Sequence, residues 1–196
     1  MDTLEPTERK IPDIVYRAAI GALILFVGLL VGISTAHAVE LVPSIGITRT
    51  STDNAEGKTF YGFAFRGNLF PMFKHETAIG YHSEEVTDPT GTISLKMNTV
   101  PMTESIWFAP IPLVYAGVGV GMYFSSLTYE NVPVPDSQER KFGYHIGGGL
   151  NFPIAPMIGV DLQSRYVFMD EVPTSLPQGN LDPEFWSTSV GIAIKF

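Results

Sequence analysis

The chain has 196 residues, a formal net charge of -8 and no cysteine. That length fits one domain once a leader is set aside, the lack of thiols excludes disulfide chemistry, and the acidic balance argues against a nucleic-acid partner, which needs a basic footprint. Glycine and aromatic residues are plentiful and no amphipathic helix of the soluble type stands out, so an all-β fold is expected.

Residues 1–38 have the build of a targeting segment. Arg9, Lys10 and Arg17 precede an apolar run from Ala18 to Ile33, and Ala36-His37-Ala38 supplies the small-x-small pattern after which a signal peptidase cuts. The mature chain is therefore expected to start at Val39. The competing reading is an uncleaved inner-membrane anchor, since the leading extension is long and carries Asp2, Glu5 and Glu8. The apolar run falls short of the roughly 20 residues that a spanning helix wants.

Beyond Val39 alternation with period two takes over, in segments near the roughly 9–11 residues of a tilted spanning strand. The first, about Leu41 to Thr50, sets Leu41, Ile45 and Ile47 against Ser44, Gly46 and Thr48. After a polar loop, Thr59 to Leu69 sets Tyr61, Phe63 and Phe65 against Gly62, Ala64 and Arg66, and a short turn at Phe70-Pro71-Met72-Phe73 ends it. The third, Lys74 to Glu84, puts Thr77, Ile79 and Tyr81 outward and Glu76, Ala78, Gly80 and His82 inward. The fourth, Ile93 to Phe108, is ambiguous: Ile93, Leu95 and Met97 share a phase, but after Pro101 either Trp107 or the pair Ile106 and Phe108 can face outward. Keeping Glu104 inward puts Trp107 outward, with a bulge or register change expected at the proline.

A second proline turn, Ala109 to Pro112, leads to Leu113–Leu127, where Val114, Ala116, Val118, Val120, Met122 and Phe124 oppose Tyr115, Gly117, Gly119, Gly121 and Tyr123. The sixth segment, Lys141 to Phe152, sets Phe142, Tyr144, Ile146, Leu150 and Phe152 against Gly143, His145, Gly147, Gly149 and Asn151. After a third proline turn, Met157 to Phe168 opposes Ile158, Val160, Leu162, Tyr166 and Phe168 to Gly159, Asp161, Gln163 and Arg165. The last, Phe185 to Phe196, places Trp186, Thr188, Val190, Ile192, Ile194 and Phe196 on one side.

Eight strands joined alternately by long polar loops and short proline turns make an eight-stranded antiparallel up-and-down transmembrane β-barrel. Tyr61, Tyr81, Phe124, Tyr144, Tyr166 and Trp186 fall near the outer ends of their strands and Phe152 and Phe196 near the inner ends, the two girdles of a spanning barrel. Arg66, Glu76, Glu104, Asp161 and Arg165 then point inward, where a barrel this narrow is filled by its own side chains. Buried charges need partners, so these five are expected to form a polar network that closes the lumen.

The strands YAGVGVGMYF (Tyr115 to Phe124), YHIGGGLNF (Tyr144 to Phe152), GVDLQSRYVF (Gly159 to Phe168) and SVGIAIKF (Ser189 to Phe196) carry a family likeness. The chain from Val39 to Phe196 resembles the small outer-membrane barrels of OmpX-like and OmpA-like type. The resemblance implies a place in the cell outer membrane of a Gram-negative-type bacterium, with lipid and lipopolysaccharide as surroundings. It also implies that Val190, Ile192, Ile194 and the terminal Phe196 form the signal read by the barrel assembly machinery. Family members serve in envelope structure, adhesion or surface contact. The expected function is of that kind and non-enzymatic, with an OmpW-like channel for small solutes as the alternative and a lipid A-modifying enzyme as the third reading. No cofactor or metal is implied.

Candidate chemistry is sparse. His82-Ser83-Glu84 is the one close nucleophile, base and acid set, but adjacent residues on a strand point to opposite faces, so His82 and Ser83 do not meet. His145 reads as a lumen histidine satisfied by its neighbours. The alternating glycines of the fifth and sixth strands lack the strand-to-helix setting of a phosphate loop. They are expected to make room for Tyr115, Tyr123 and the arginines. The outer loops are acidic, with Asp53, Glu56, Asp88, Asp136, Glu171 and Asp182 among others. They suit a cation or a basic extracellular partner, or simply keep the loops soluble.

Overall fold

The computed structural model describes residues 39–50, 57–87, 94–130, 137–170 and 184–196. Residues 1–38, expected to be a leader, and the loop acids Asp53, Glu56, Asp88, Asp136, Glu171 and Asp182 lie outside the described residues. Eight strands are described: β1 (Val39–Thr50), β2 (Lys58–Phe70), β3 (Phe73–Thr87), β4 (Ser94–Ile111), β5 (Val114–Glu130), β6 (Ser137–Ala155), β7 (Ile158–Met169) and β8 (Phe185–Lys195). Each pairs antiparallel with the next, and β8 returns to β1 through a register from Thr50↔Phe185 to Glu40↔Lys195. Closure leaves no sheet edge within the wall, which a bilayer demands because it offers no water to an unpaired backbone group.

The three short connections share one construction. The register shifts between Asn68 and Phe70, between Phe108 and Ile111, and between Pro153 and Ala155, just before each turn. An extra residue there bends the strand into a turn that carries Pro71, Pro112 or Pro156. At the first turn Met72 adopts φ 70°, a conformation that glycine takes with less strain. Its carbonyl accepts the Ala109 amide at 2.7 Å, tying this turn to the end of β4.

Strands β3 to β6 run to 15, 18, 17 and 19 residues, longer than a crossing needs. Backbone pairing continues into polar sequence at their outer ends, as far as Thr87↔Ser94 and Ser94↔Glu130. The apolar alternation stops sooner, because it reports only the part of a strand that meets hydrocarbon.

The two faces of the wall are sorted in the reverse of a water-soluble protein. Ile47, Val118, Ile146 and Ile192 lie outside, each more than half exposed. Among the described residues, thirteen buried side chains are polar or charged and ten are apolar. A soluble fold would leave the outer face as one very large apolar patch, whereas lipid is its natural solvent. Leu162 stands midway along the outward row of β7 and is 40% exposed. Leu162→Arg is expected to lower stability by about 2–4 kcal/mol in urea unfolding from lipid vesicles. A wall facing water would show almost no change.

One strand departs from the sequence reading. Thr99, Pro101, Thr103, Ser105 and Trp107 all face inward along β4, while Met102, Glu104, Ile106 and Phe108 face out. Trp107 is wholly buried in the lumen, and Glu104 is on the outer wall. No bulge occurs at Pro101: the pairing with β5 stays in one register from Ser94↔Glu130 to Phe108↔Ala116. Proline has no amide to donate, and the pairing of β4 with β3 lapses there instead, between Ile79↔Met102 and His82↔Thr99.

Candidate functional site

The lumen holds the one concentration of buried charge among the described residues. Arg66 on β2 and Glu76 on β3 face each other directly across the strand pair, both inward and both almost inaccessible to solvent. The Arg66 Nε donates to Glu76 Oε2. Its two terminal nitrogens donate to Asp161 at 2.6 and 2.9 Å, a bidentate pairing across the barrel from β2 to β7. Tyr115 completes that half: its hydroxyl accepts from Arg66 at 3.1 Å and donates to Asp161 at 2.9 Å, while the guanidinium lies 4.9 Å from its ring centre. Asn151 donates to the same carboxylate at 3.4 Å.

Arg165 supplies the second half. It donates to the other oxygen of Glu76, to Gln163 Oε1 at 2.9 and 2.6 Å and to Thr103 Oγ1 at 3.1 Å. Gln163 donates in turn to Glu76 at 3.5 Å. Glu76 thus joins two guanidiniums, and two carboxylates balance two arginines. Buried ions persist when their charges and hydrogen-bonding groups are met in this way.

Large side chains pack around the ions where neighbouring strands carry glycine. Trp107 meets Tyr115 edge-on at 5.3 Å and lies under Arg165 at 5.4 Å, against a backbone cleared by Gly117. His145 stands where a Cβ on Gly119 would intrude, with its Nε2 3.0 Å from Ser105 Oγ, and Tyr115 fills the space left by Gly149. Above this layer Tyr123, Val167 and Phe185 form an apolar cluster toward the outer mouth. Toward the inner end Glu40 accepts from Lys74 at 3.0 Å, with Lys195 at 3.8 Å. The cavity between Arg165, Tyr123 and Phe185 measures about 40 Å³, room for a few waters.

Of the five charges expected inside, Arg66, Glu76, Asp161 and Arg165 meet in this cluster, and Glu104 does not. It points outward, 45% exposed, accepting from Thr77 at 2.9 Å and lying 2.6 Å from His75 Nε2. The rule that a charge belongs inside failed because the next strand supplies partners on the outer face. Sequence reasoning also missed Trp107 as a lumen residue. The run of inward glycines on β5 was the available signal, since it leaves volume that a ring must fill. His82 points inward with its Nε2 3.8 Å from Glu84, and Ser83 faces the other way, so these three do not converge.

The outward aromatics form rows rather than isolated anchors. Tyr61 pairs with Tyr81 across β2 and β3, and Tyr144, Phe168, Tyr166 and Trp186 make a chain of ring contacts at 4.6–4.9 Å. Phe124 carries Arg140 over its ring at 5.3 Å, and Phe152 and Phe196 are exposed at the inner ends. Val190, Ile192, Ile194 and Phe196 share the outward row of β8.

Comparison with solved structures returns the same architecture. Ail, the attachment invasion locus protein of Yersinia pestis, superposes with a TM-score of 0.57 at 12% identity, over 82% of this chain and 99% of that one. Neisserial surface protein A gives 0.58 at 12% identity over 82% and 99%. The outer membrane protein OprG from Pseudomonas aeruginosa gives 0.57 at 10% identity over 82% and 97%. No curated protein matches the chain. At these identities the likeness establishes the fold alone. The family model for the outer membrane protein beta-barrel domain matches residues 22–196, and with an apolar wall around a charged interior the chain belongs to that family and resides in the outer membrane.

Proposed function

We propose that this protein is a non-catalytic barrel that gives the outer membrane a rigid wall and presents its outer loops for surface contact, with a lumen that passes no solute. The observation that carries this reading is the ion cluster. Glu76 and Asp161 hold Arg66 and Arg165 across the full width of the barrel, and the space beside them is about 40 Å³. A solute would have to separate buried, fully paired charges to pass, each at a cost of several kcal/mol.

The acidic loops favour a basic or cation-bridged partner over a polyanion. Ail has been solved with the heparin analogue sucrose octasulfate, and the net charge of -8 here argues for a different ligand class. Divalent cations would let the same loops lie against lipopolysaccharide phosphates. Within the envelope, the row Val190, Ile192, Ile194 and Phe196 fits the role of the strand read by the barrel assembly machinery.

Planar-bilayer recording tests the closed lumen. The purified barrel is expected to give no steady single-channel current. Steady currents that change with Arg66→Ala would establish the small-solute channel instead.

A further inference from the structure

We propose that the end of the barrel formed by the three short turns is a lipid-facing collar, set within the phospholipid leaflet on that side instead of standing in water. The claim goes beyond the surface role, because it assigns a partner to the end of the barrel which that role does not use.

The turns and their flanks span residues 69–73, 108–114 and 152–158, and every residue in these stretches is apolar or proline. Turns in water favour glycine, asparagine, aspartate and serine, which the loops at the other end carry in number. Phe70, Met72, Ile111, Ile154 and Met157 are each more than half exposed. At Met72 the apolar side chain is kept even though φ 70° suits glycine better. In water this rim would be a large apolar patch. It runs without a break into the outward rows of the wall, through Phe73, Phe108, Val114, Phe152 and Ile158, and that wall already meets lipid.

Height favours lipid over a protein cover. Tyr81 of the outer girdle and Phe73 are eight residues apart along β3, as are Tyr144 and Phe152 along β6. At about 3.3 Å per residue and a tilt near 40°, eight residues climb about 20 Å, so an apolar band about 25 Å tall reaches past the phenylalanines to the turns. The aromatics agree. Among the described residues the outward tyrosines and tryptophan, Tyr61, Tyr81, Tyr144, Tyr166 and Trp186, all stand toward the long loops, whereas the outward rings near the turns are Phe70, Phe73, Phe108 and Phe152. Tyrosine and tryptophan mark a membrane–water boundary because each joins an apolar ring to a polar group. Phenylalanine has no such group, which sets the boundary on this side at the turns or beyond them.

Backbone in lipid must find its partners within the protein. Pro71, Pro110, Pro112, Pro153 and Pro156 carry no amide hydrogen that needs one. The Met72 carbonyl accepts from the Ala109 amide at 2.7 Å, the Leu113 carbonyl from Asn151 at 2.8 Å and the Met157 carbonyl from Lys195 at 2.8 Å. These bonds tie the first turn to the end of β4, the second to β6 and the third to β8. The charges at this end, Glu40, Lys74 and Lys195, pair inside the mouth of the lumen and leave the rim itself uncharged.

Because the chain has no cysteine, single-cysteine variants carrying a nitrobenzoxadiazole fluorophore test the collar in vesicles of phosphatidylethanolamine and phosphatidylglycerol. Ile154→Cys and Met72→Cys probe two of the turns. Val118→Cys on the outward wall of β5 is the lipid reference, and Asp170→Cys, exposed just beyond β7, is the water reference. A heat-dependent shift on detergent gels shows that each variant has folded. With iodide on both sides of the membrane, the turn labels are expected to be quenched about fivefold less than the label at Asp170→Cys, since hydrocarbon holds no water. Nitroxides on the lipid acyl chains should quench them within about twofold of the label at Val118→Cys, as for one continuous lipid-facing band. Iodide quenching at either turn equal to that at Asp170→Cys would overturn the proposal and leave the rim to a protein partner. So would acyl-chain nitroxides that reach Val118→Cys and neither turn. Two separate turns keep the test decisive where one variant fails to fold.

Discussion

Glu76→Gln is expected to destabilise the barrel by about 3–5 kcal/mol, the cost of breaking a buried ion pair and leaving its partners uncompensated. The glutamine keeps the shape and removes the charge that two arginines share. Arg66 retains Asp161, whereas Arg165 keeps only the neutral acceptors Gln163 and Thr103. One positive charge is then left without a carboxylate partner inside the lumen, where Trp107, Tyr115 and His145 are buried. Urea unfolding from lipid vesicles measures the loss, and a heat-dependent mobility shift on detergent gels shows that the variant has folded. The double variant Glu76→Gln with Arg165→Met should recover much of the stability, because the stranded charge goes with its partner. A loss below about 1 kcal/mol for Glu76→Gln would mean that the lumen is wet enough to solvate a free guanidinium.

The second large effect concerns the face of β4. Trp107→Ala is expected to cost about 3–5 kcal/mol, the range for deleting a fully buried aromatic. The ring is wholly buried between Tyr115, His145 and Arg165, and the backbone at Gly117 offers nothing to refill the space. Ile106→Ala, one residue away on the outer wall and 42% exposed, should cost less than about 1 kcal/mol, because acyl chains fill what the isoleucine vacates. The same unfolding assay reads both. A reversed order would put Trp107 on the lipid side and Ile106 in the lumen.

Much of the fold was legible along the chain. Alternation with period two assigned inside and outside correctly on β1, β2, β3, β5, β6, β7 and β8, because each of these carries apolar residues on one face and small or polar ones on the other. Proline in each short turn marked where pairing stops. On β4 both faces mix the two kinds: Met102, Glu104, Ile106 and Phe108 against Pro101, Thr103, Ser105 and Trp107. A rule applied to one strand at a time puts the charge inside and the ring outside. The neighbours overrule it, since β5 clears space for Trp107 at Gly117 and β3 brings His75 and Thr77 to Glu104.

The same boundary runs through the lumen. Composition and periodicity alone determined that arginines and carboxylates turn inward, since hydrocarbon outside admits no other place for most of them. Which charges join was decided only by closing the barrel. Register sets Arg66 opposite Glu76 along adjacent strands, but Asp161 and Arg165 reach them across the interior from β7, a distance in sequence of 95 and 89 residues. A pattern read along one strand reports which solvent each face meets. It carries no information about which residues curvature and strand stagger bring face to face, and on those the closed lumen and the polar spot on the outer wall depend.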